Sequence, residues 1–206
     1  MDVLFINPGN ASGIYQDLSK VYSAIETPTW SLLLAESCRS VGYEVGILDV
    51  NAERLPTQQA VDRVKELNPR LVCFAVYGQN PNAGTVNMAG TVMLARALKE
   101  AGLESTISVV GSHVQALPYE TLEKEKDIID IIFSNEGVYA LWNLLKLQDL
   151  KDISLLETVK GIGFMKEGKA FLTPVEKLVP QDKMDEHLPG YAWDLLPYKE
   201  KPLDMY

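Results

Sequence analysis

The residues able to do chemistry gather in a few polar or glycine-bearing stretches, each directly behind an apolar run. They are Asn7-Pro8-Gly9-Asn10, Asp49-Val50-Asn51, Tyr77-Gly78-Gln79-Asn80, Gly111-Ser112-His113 and Ser134-Asn135-Glu136-Gly137. Asp49 and Glu136 read as a carboxylate pair for acid–base work, or Asp49 alone as a ribose ligand at the end of a second strand. The ribose reading requires G-x-G-x-x-G behind the first strand, and Asn7 to Gly13 has the wrong spacing, so a nicotinamide site is discounted. No Ser-His-Asp order and no metal-ligand spacing stands out, which argues against an independent hydrolase. Cys38 and Cys73 read as reduced core thiols. His113 offers a hydrogen bond to a ligand or a neighbouring domain, or is simply a polar residue ahead of a helix. His187, within Asp185-Glu186-His187, is expected to be solvated. Gly111 and Gly137 would admit close backbone approach to a flat ligand. Turn geometry explains each glycine equally well, and only their pairing on one sheet edge favours a ligand.

The elements that must position these stretches follow from periodicity. Val3–Ile6, Glu44–Asp49, Leu71–Val76, Ile107–Val110 and Ile128–Phe133 are short β-rich apolar runs. Helical spacing predicts helices over Thr29–Val41, with Thr29 as cap and Gly42 as stop, and over 57–67, 83–101, 117–126 and 138–147. Parallel strands buried on both faces read as continuous apolar runs rather than alternation, so this βα repeat predicts an α/β fold. Its core is a doubly wound parallel five-stranded sheet, flavodoxin- or Rossmann-like. In such sheets ligands sit over the carboxyl ends of the strands, where the five stretches fall. The connection from Asn7 to Pro28 exceeds the usual 2–6 residues, and over-long loops there are more often functional than idle. Beyond residue 150, Gly161–Met165 and Ala170–Leu172 flank a charged glycine turn and predict a β-hairpin. A proline-punctuated, extended tail follows, with exposed aromatics including Tyr191 and Trp193. Such a tail drapes over the domain or leads into a second one, so the expected division is 1–150 and 151–206, within a longer protein.

Composition sets the outer limits. The 206 residues are 47% hydrophobic and 23% charged, ordinary for a globular domain. A net charge of −9 argues against nucleic-acid binding, which requires clustered Lys and Arg. No apolar run approaches the roughly 18 residues of a membrane span, and the acidic start Met1-Asp2 is unlike a signal peptide. A cytoplasmic protein without nucleic-acid or membrane partners is expected.

In order along the chain stand Leu4-Phe5-Ile6-Asn7-Pro8, Thr27-Pro28-Thr29-Trp30-Ser31-Leu32, Val41-Gly42-Tyr43-Glu44-Val45, Asn68-Pro69-Arg70-Leu71-Val72, Val109-Val110-Gly111-Ser112-His113, Asp130 to Gly137, and Leu188-Pro189-Gly190-Tyr191-Ala192-Trp193-Asp194-Leu195-Leu196-Pro197. With these phrases the chain resembles the N-terminal cobalamin-binding domain of cobalamin-dependent radical S-adenosylmethionine enzymes. The resemblance implies a corrin over the carboxyl edge, held by Asn7, Pro8, Asn10, Tyr77, Gly78, Gln79, Gly111, Ser112, His113, Asn135, Glu136 and Gly137. Amide-rich loops suit cobalamin, whose periphery is neutral and hydrogen-bonding. It also implies a downstream radical S-adenosylmethionine barrel in cis, carrying S-adenosylmethionine and a 4Fe-4S cluster, with methyl transfer or radical rearrangement as the reaction. The C-x-x-x-C-x-x-C motif of that barrel is absent from this chain, so the chain alone is no such enzyme. The D-x-H-x-x-G motif of classical cobalamin domains is absent too, so no His ligand to cobalt is expected from the first loop. The family's Ser after the third strand appears as Ala75 or is displaced to Tyr77-Gly78, its Gly-Gly appears as Gly111-Ser112 and its Gly-Glu-Gly-Glu as Ser134 to Val138. These departures leave a second reading: a non-catalytic interaction or sensing module that has lost the cofactor.

Overall fold

The computed structural model describes residues 1–9, 25–77 and 81–197. Asn10, Gly78, Gln79 and Asn80, all singled out by sequence, lie outside the described residues. The order is β1 Val3–Asn7, α1 Thr29–Ser40, β2 Val45–Asp49, α2 Thr57–Leu67, β3 Leu71–Val76, α3 Pro81–Glu100, β4 Thr106–Gly111, α4 Ser112–Ala116, α5 Pro118–Lys124, β5 Ile131–Phe133, α6 Val138–Leu145, α7 Ile153–Leu156, β6 Ile162–Lys166, β7 Lys169–Leu172 and α8 Met184–His187. The strands form one sheet in the order β2-β1-β3-β4-β5-β6-β7. The first five are parallel, with Val3 opposite Val45 and Leu71, and Leu71 opposite Thr106. The expected five-stranded parallel sheet is therefore present, and the hairpin enlarges it. β6 pairs antiparallel with β5, and β7 with β6.

Two apolar layers sandwich the sheet. Val3, Phe5, Cys73, Ala75, Val110 and Phe133 face α1, α6 and the tail. Leu4, Ile6, Val72, Phe74, Val109 and Ile132 face α2, α3 and α5. Successive strand residues thus enter opposite cores, which is why the runs are unbroken apolar. All six residues of β3 are buried. Each such large side chain contributes about 1.5–3 kcal/mol, which offsets a backbone-ordering cost of about 1–2 kcal/mol per residue.

Helix ends depart from expectation in informative ways. Pro28, not Thr29, holds the N-cap position of α1, and Thr29 is its first residue. The stop at Gly42 holds: Gly42 has φ +97, its N–H bonds Arg39 O, and Tyr43 N–H bonds Cys38 O, a Schellman closure. The helix expected over 117–126 begins at Ser112 and breaks at Leu117 into α4 and α5. Ser112 and His113 thus belong to a helix rather than a turn. β5 is shorter than its apolar run, because Ile128 and Ile129 bond back to Glu125 O and bury their side chains against the second layer. The hairpin turn has φ +50 at Glu167 and +76 at Gly168, the paired left-handed geometry that matches strand twist.

The tail drapes over the α1/α6 face. Ala192 is fully buried and its N–H bonds Leu32 O at 3.3 Å, while Arg39 forks onto Asp194 at 2.7 and 2.9 Å. Tyr191 and Trp193 remain exposed, as expected. His187 is not the solvated residue expected. Its Nδ1 lies 2.7 Å from the Tyr139 hydroxyl, its ring packs edge-on to Trp142, and its carbonyl accepts from Ser37 Oγ at 2.7 Å.

Candidate functional site

β1 is followed by β2 on one side of the sheet and lies beside β3 on the other, so the strand order reverses between β1 and β3. β1 leads to α1 on one face of the sheet and β3 to α3 on the other, and in open α/β sheets such a switch point is where ligands bind, outside the carboxyl ends of the strands. The described part of the edge carries Asn7, Pro8, Tyr77, Gly111, Ser112, His113, Asn135, Glu136 and Gly137, and the structure places all nine there.

Their partners separate them. Asn7 Nδ2 donates to Asp49 Oδ1 at 2.9 Å, and the same oxygen accepts the Ala52 N–H at 2.9 Å. Asp49 is 1% exposed, so it pins the β1 and β2 loops together. Glu136 Oε1 accepts the Val179 N–H at 2.7 Å and holds the tail. Asp49 and Glu136 end β2 and lead out of β5, four strand spacings apart, roughly 19 Å. They cannot share a proton, so the acid–base pair is ruled out.

The two glycines answer to the fold. Gly111 has φ +153, and a Cβ there would lie 2.1 Å from the Val76 carbonyl oxygen. Gly137 has φ +88, and its Cβ would meet Val110 and Phe133. Gly111 is required by a contact of the chain with itself, and Gly137 by its left-handed backbone. Ser112 has a similar internal role: a Cβ on Gly84 would lie 2.4 Å from its Oγ, so α3 carries glycine where α4 begins. His113 is half-buried with Nδ1 3.4 Å from Thr85 Oγ1, facing α3.

A second group is tied together across the edge. The Tyr77 ring stacks on Trp30, the second residue of α1, with centroids 4.6 Å apart and planes 21° apart. Gln115 Nε2, from α4, donates to the Tyr77 hydroxyl at 2.9 Å and to Asn135 O at 2.7 Å. One amide thus links the loops after β3 and β5 across the intervening β4. Asn135 Oδ1 accepts the Gly137 N–H at 3.0 Å, an Asx turn that shapes the loop, and its Nδ2 donates to Glu176 O at 2.9 Å. Burial pushes the Tyr77 phenol up, partly offset by the Gln115 hydrogen bond, so the hydroxyl keeps its proton at neutral pH. Having accepted from Gln115, it can still donate.

Sequence reasoning missed Gln115 and the pairing role of Trp30. Gln115 follows Gly111 by four residues, one helical turn, but the helix expected there began only at Leu117. Trp30 was legible only as an apolar residue of α1.

Among the described residues, two buried hydroxyls on this side of the molecule have no partner, Ser31 Oγ in the first turn of α1 and Ser134 Oγ just beyond β5. Among the described residues no group of three or more His, Cys, Asp or Glu could hold a metal, and no helix is long and apolar enough to cross a membrane.

Comparison with known proteins places this arrangement. No curated protein sequence matches the chain. Among solved structures, the cobalamin-dependent S-adenosylmethionine radical enzyme OxsB with aqua-cobalamin bound superposes with TM-score 0.66 at 18% identity, over 94% of this chain and 24% of that one. The radical S-adenosylmethionine methyltransferase TsrM from Kitasatospora setae, with cobalamin and a [4Fe-4S] cluster bound, gives TM-score 0.61 at 17% identity, over 88% of this chain and 30% of that one. The same methyltransferase with tryptophan and a S-adenosylmethionine analogue gives 0.61 at 15%. At these identities the likeness is one of fold, and this chain spans 24% to 30% of each relative's length. The sequence itself carries the family: the model of the B12 binding domain matches residues 17–145, well over half of the 206, and the chain belongs to that family.

Proposed function

We propose that this chain holds cobalamin over the carboxyl edge of its parallel strands, with no histidine lower ligand from the first loop. In this reading residues 1–150 are the cofactor-binding unit, and 151–206 lead to a radical S-adenosylmethionine barrel in cis. The carrying observation is the bridge from Gln115 to Tyr77 and Asn135. It makes the described edge a neutral surface of amides, hydroxyls and aromatic rings, and its two carboxylates, Asp49 and Glu136, are already engaged within the chain. A ligand rimmed with amides fits such a surface, and the unpartnered Ser31 and Ser134 hydroxyls add hydrogen-bonding capacity nothing in the described chain uses.

The chain has only two histidines. His187 is held by Tyr139 and Trp142, and His113 lies against Thr85. When bound, cobalamin supplies a cobalt centre able to carry a methyl group or support radical chemistry. This chain's residues bind and orient: Trp30 and Tyr77 present an aromatic wall, Tyr77 offers a phenolic proton, and Gln115 holds that phenol in place.

A visible-spectrum titration with hydroxocobalamin, followed by desalting, tests the proposal. Retained corrin absorbance is expected in the wild type, with weaker retention in Tyr77→Ala and Gln115→Leu of unchanged circular dichroism. No retention by the wild type, or equal retention by folded variants, would overturn it. Gly111 is unsuitable as a probe, because any side chain there strikes Val76.

A further inference from the structure

The first turn of α1 combines three features. It is a 12-residue helix whose N-cap residue, Pro28, offers no side-chain acceptor, and its first turn carries no acidic residue. The partial positive charge of its N-terminus is therefore uncompensated by the helix's own side chains. Ser31, third in the helix, is 1% exposed and its hydroxyl has no partner among the described residues.

A helical serine ordinarily bonds back to the carbonyl four residues earlier. Here that acceptor, Thr27 O, already takes the Thr29 N–H at 2.7 Å and the Thr29 hydroxyl at 3.3 Å. Ser31 shares the buried side of α1 with Leu34, Ala35 and Cys38, which packs on the sheet. A helical Cα–Cβ bond leans toward the N-terminus, so the hydroxyl is directed from within toward the bare first turn. The Trp30–Tyr77 stack places that turn at the end of β3, beside the switch point.

A helix N-terminus with a buried donor fits an anion. We propose that the first turn of α1 and the Ser31 hydroxyl form a subsite for a singly charged phosphodiester, that of the cofactor's nucleotide arm. This rests on the cobalamin reading and deepens it: Ser31 donates to a phosphate oxygen, and the amides of the turn face the charge. The subsite would make the chain select complete cobalamin over a corrin lacking the arm.

The test compares hydroxocobalamin with cobinamide, which lacks the phosphodiester and base, by spectral titration of the wild type, Ser31→Ala and Thr29→Asp. Ser31→Ala should weaken cobalamin about tenfold, the value of one hydrogen bond to a charged group, and leave cobinamide unchanged. Thr29 is exposed at the first helical position. An aspartate there should raise the melting midpoint by complementing the helix dipole, yet weaken cobalamin selectively. A purely structural role would not produce greater stability with weaker, arm-dependent binding. Variants that leave the cobalamin-to-cobinamide ratio unchanged overturn the subsite and leave the cobalamin reading standing. A wild type that binds neither corrin overturns that reading and the subsite with it. Inorganic phosphate stabilising the wild type but not Ser31→Ala, with the corrin ratio unaffected, would assign the turn to free phosphate instead.

Discussion

The Gln115 side-chain nitrogen lies 2.9 Å from the Tyr77 hydroxyl, joining residues 38 apart in sequence. This bond sets the phenol's orientation at the carboxyl edge, and the second bond of the same nitrogen, to Asn135 O, sets the β5 loop. Gln115→Leu keeps the side chain's bulk and removes both. Urea denaturation should show a loss of about 1–3 kcal/mol, since a half-buried phenol and a loop carbonyl lose their donor. Gln115→Glu cannot donate to Asn135 O while ionised, so its corrin affinity should recover as the solution is acidified toward the carboxylate range.

Gly111 and Gly102 separate two costs usually lumped together. Both have positive φ, but a Cβ at Gly111 would lie 2.1 Å from Val76 O, whereas one at Gly102 meets nothing within 4 Å. Gly102→Ala should cost about 1 kcal/mol in left-handed strain alone. Gly111→Ala adds a clash with the backbone of a central strand and should cost at least 3 kcal/mol, or prevent folding. Soluble yield and melting midpoint of the two variants check this ordering.

His187 clamps the tail. His187→Ala removes the hydrogen bond to Tyr139 and the edge contact with Trp142. It should cost about 1–2 kcal/mol and accelerate proteolysis between residues 174 and 192, leaving the sheet protected. Uniform cleavage across the chain would show instead that the tail is integral to the fold.

Cys38 and Cys73 are buried free thiols. Burial pushes Cys73 from 9.0 up to about 12, and it drives Cys38 upward as well, reinforced by the nearby Cys73. Neither should react with a thiol reagent at pH 8 until the chain is unfolded. A thiol is neutral when protonated, so the folded state keeps these protons after the unfolded chain has lost them. Their contribution to stability is complete below pH 9 and is lost as the pH rises above it, where the unfolded chain gives up protons that the folded chain keeps. Denaturation midpoints at pH 8 and 10 measure it, and Cys73→Ala should flatten the slope.

The sequence by itself determined the strands, their parallel arrangement and the edge on which the polar stretches fall. Val3–Ile6 and Leu71–Val76 are apolar throughout because both sheet faces are covered, and that signal is local. The helix stops at Gly42 and Gly102 are local too, since a left-handed residue one place beyond a helix is a backbone requirement. Tertiary structure alone decided what each edge residue does. Asp49 and Glu136 carry the same charge and could have been a pair, but three strands lie between them: Asp49 ties the ends of β1 and β2 together and Glu136 holds the tail. Gly111 could have faced a ligand, but it faces Val76, 35 residues earlier. His187 stood in an acidic run, but Tyr139 and Trp142 enclose it. Gln115 carried no signal, because its value depends on Tyr77 and Asn135 meeting it from two other loops. Burial patterns repeat along the chain with the period of each element and can be read there. Partners brought from 20 to 150 residues away leave no such period, and only the folded chain shows which polar groups are spent internally and which remain for a ligand.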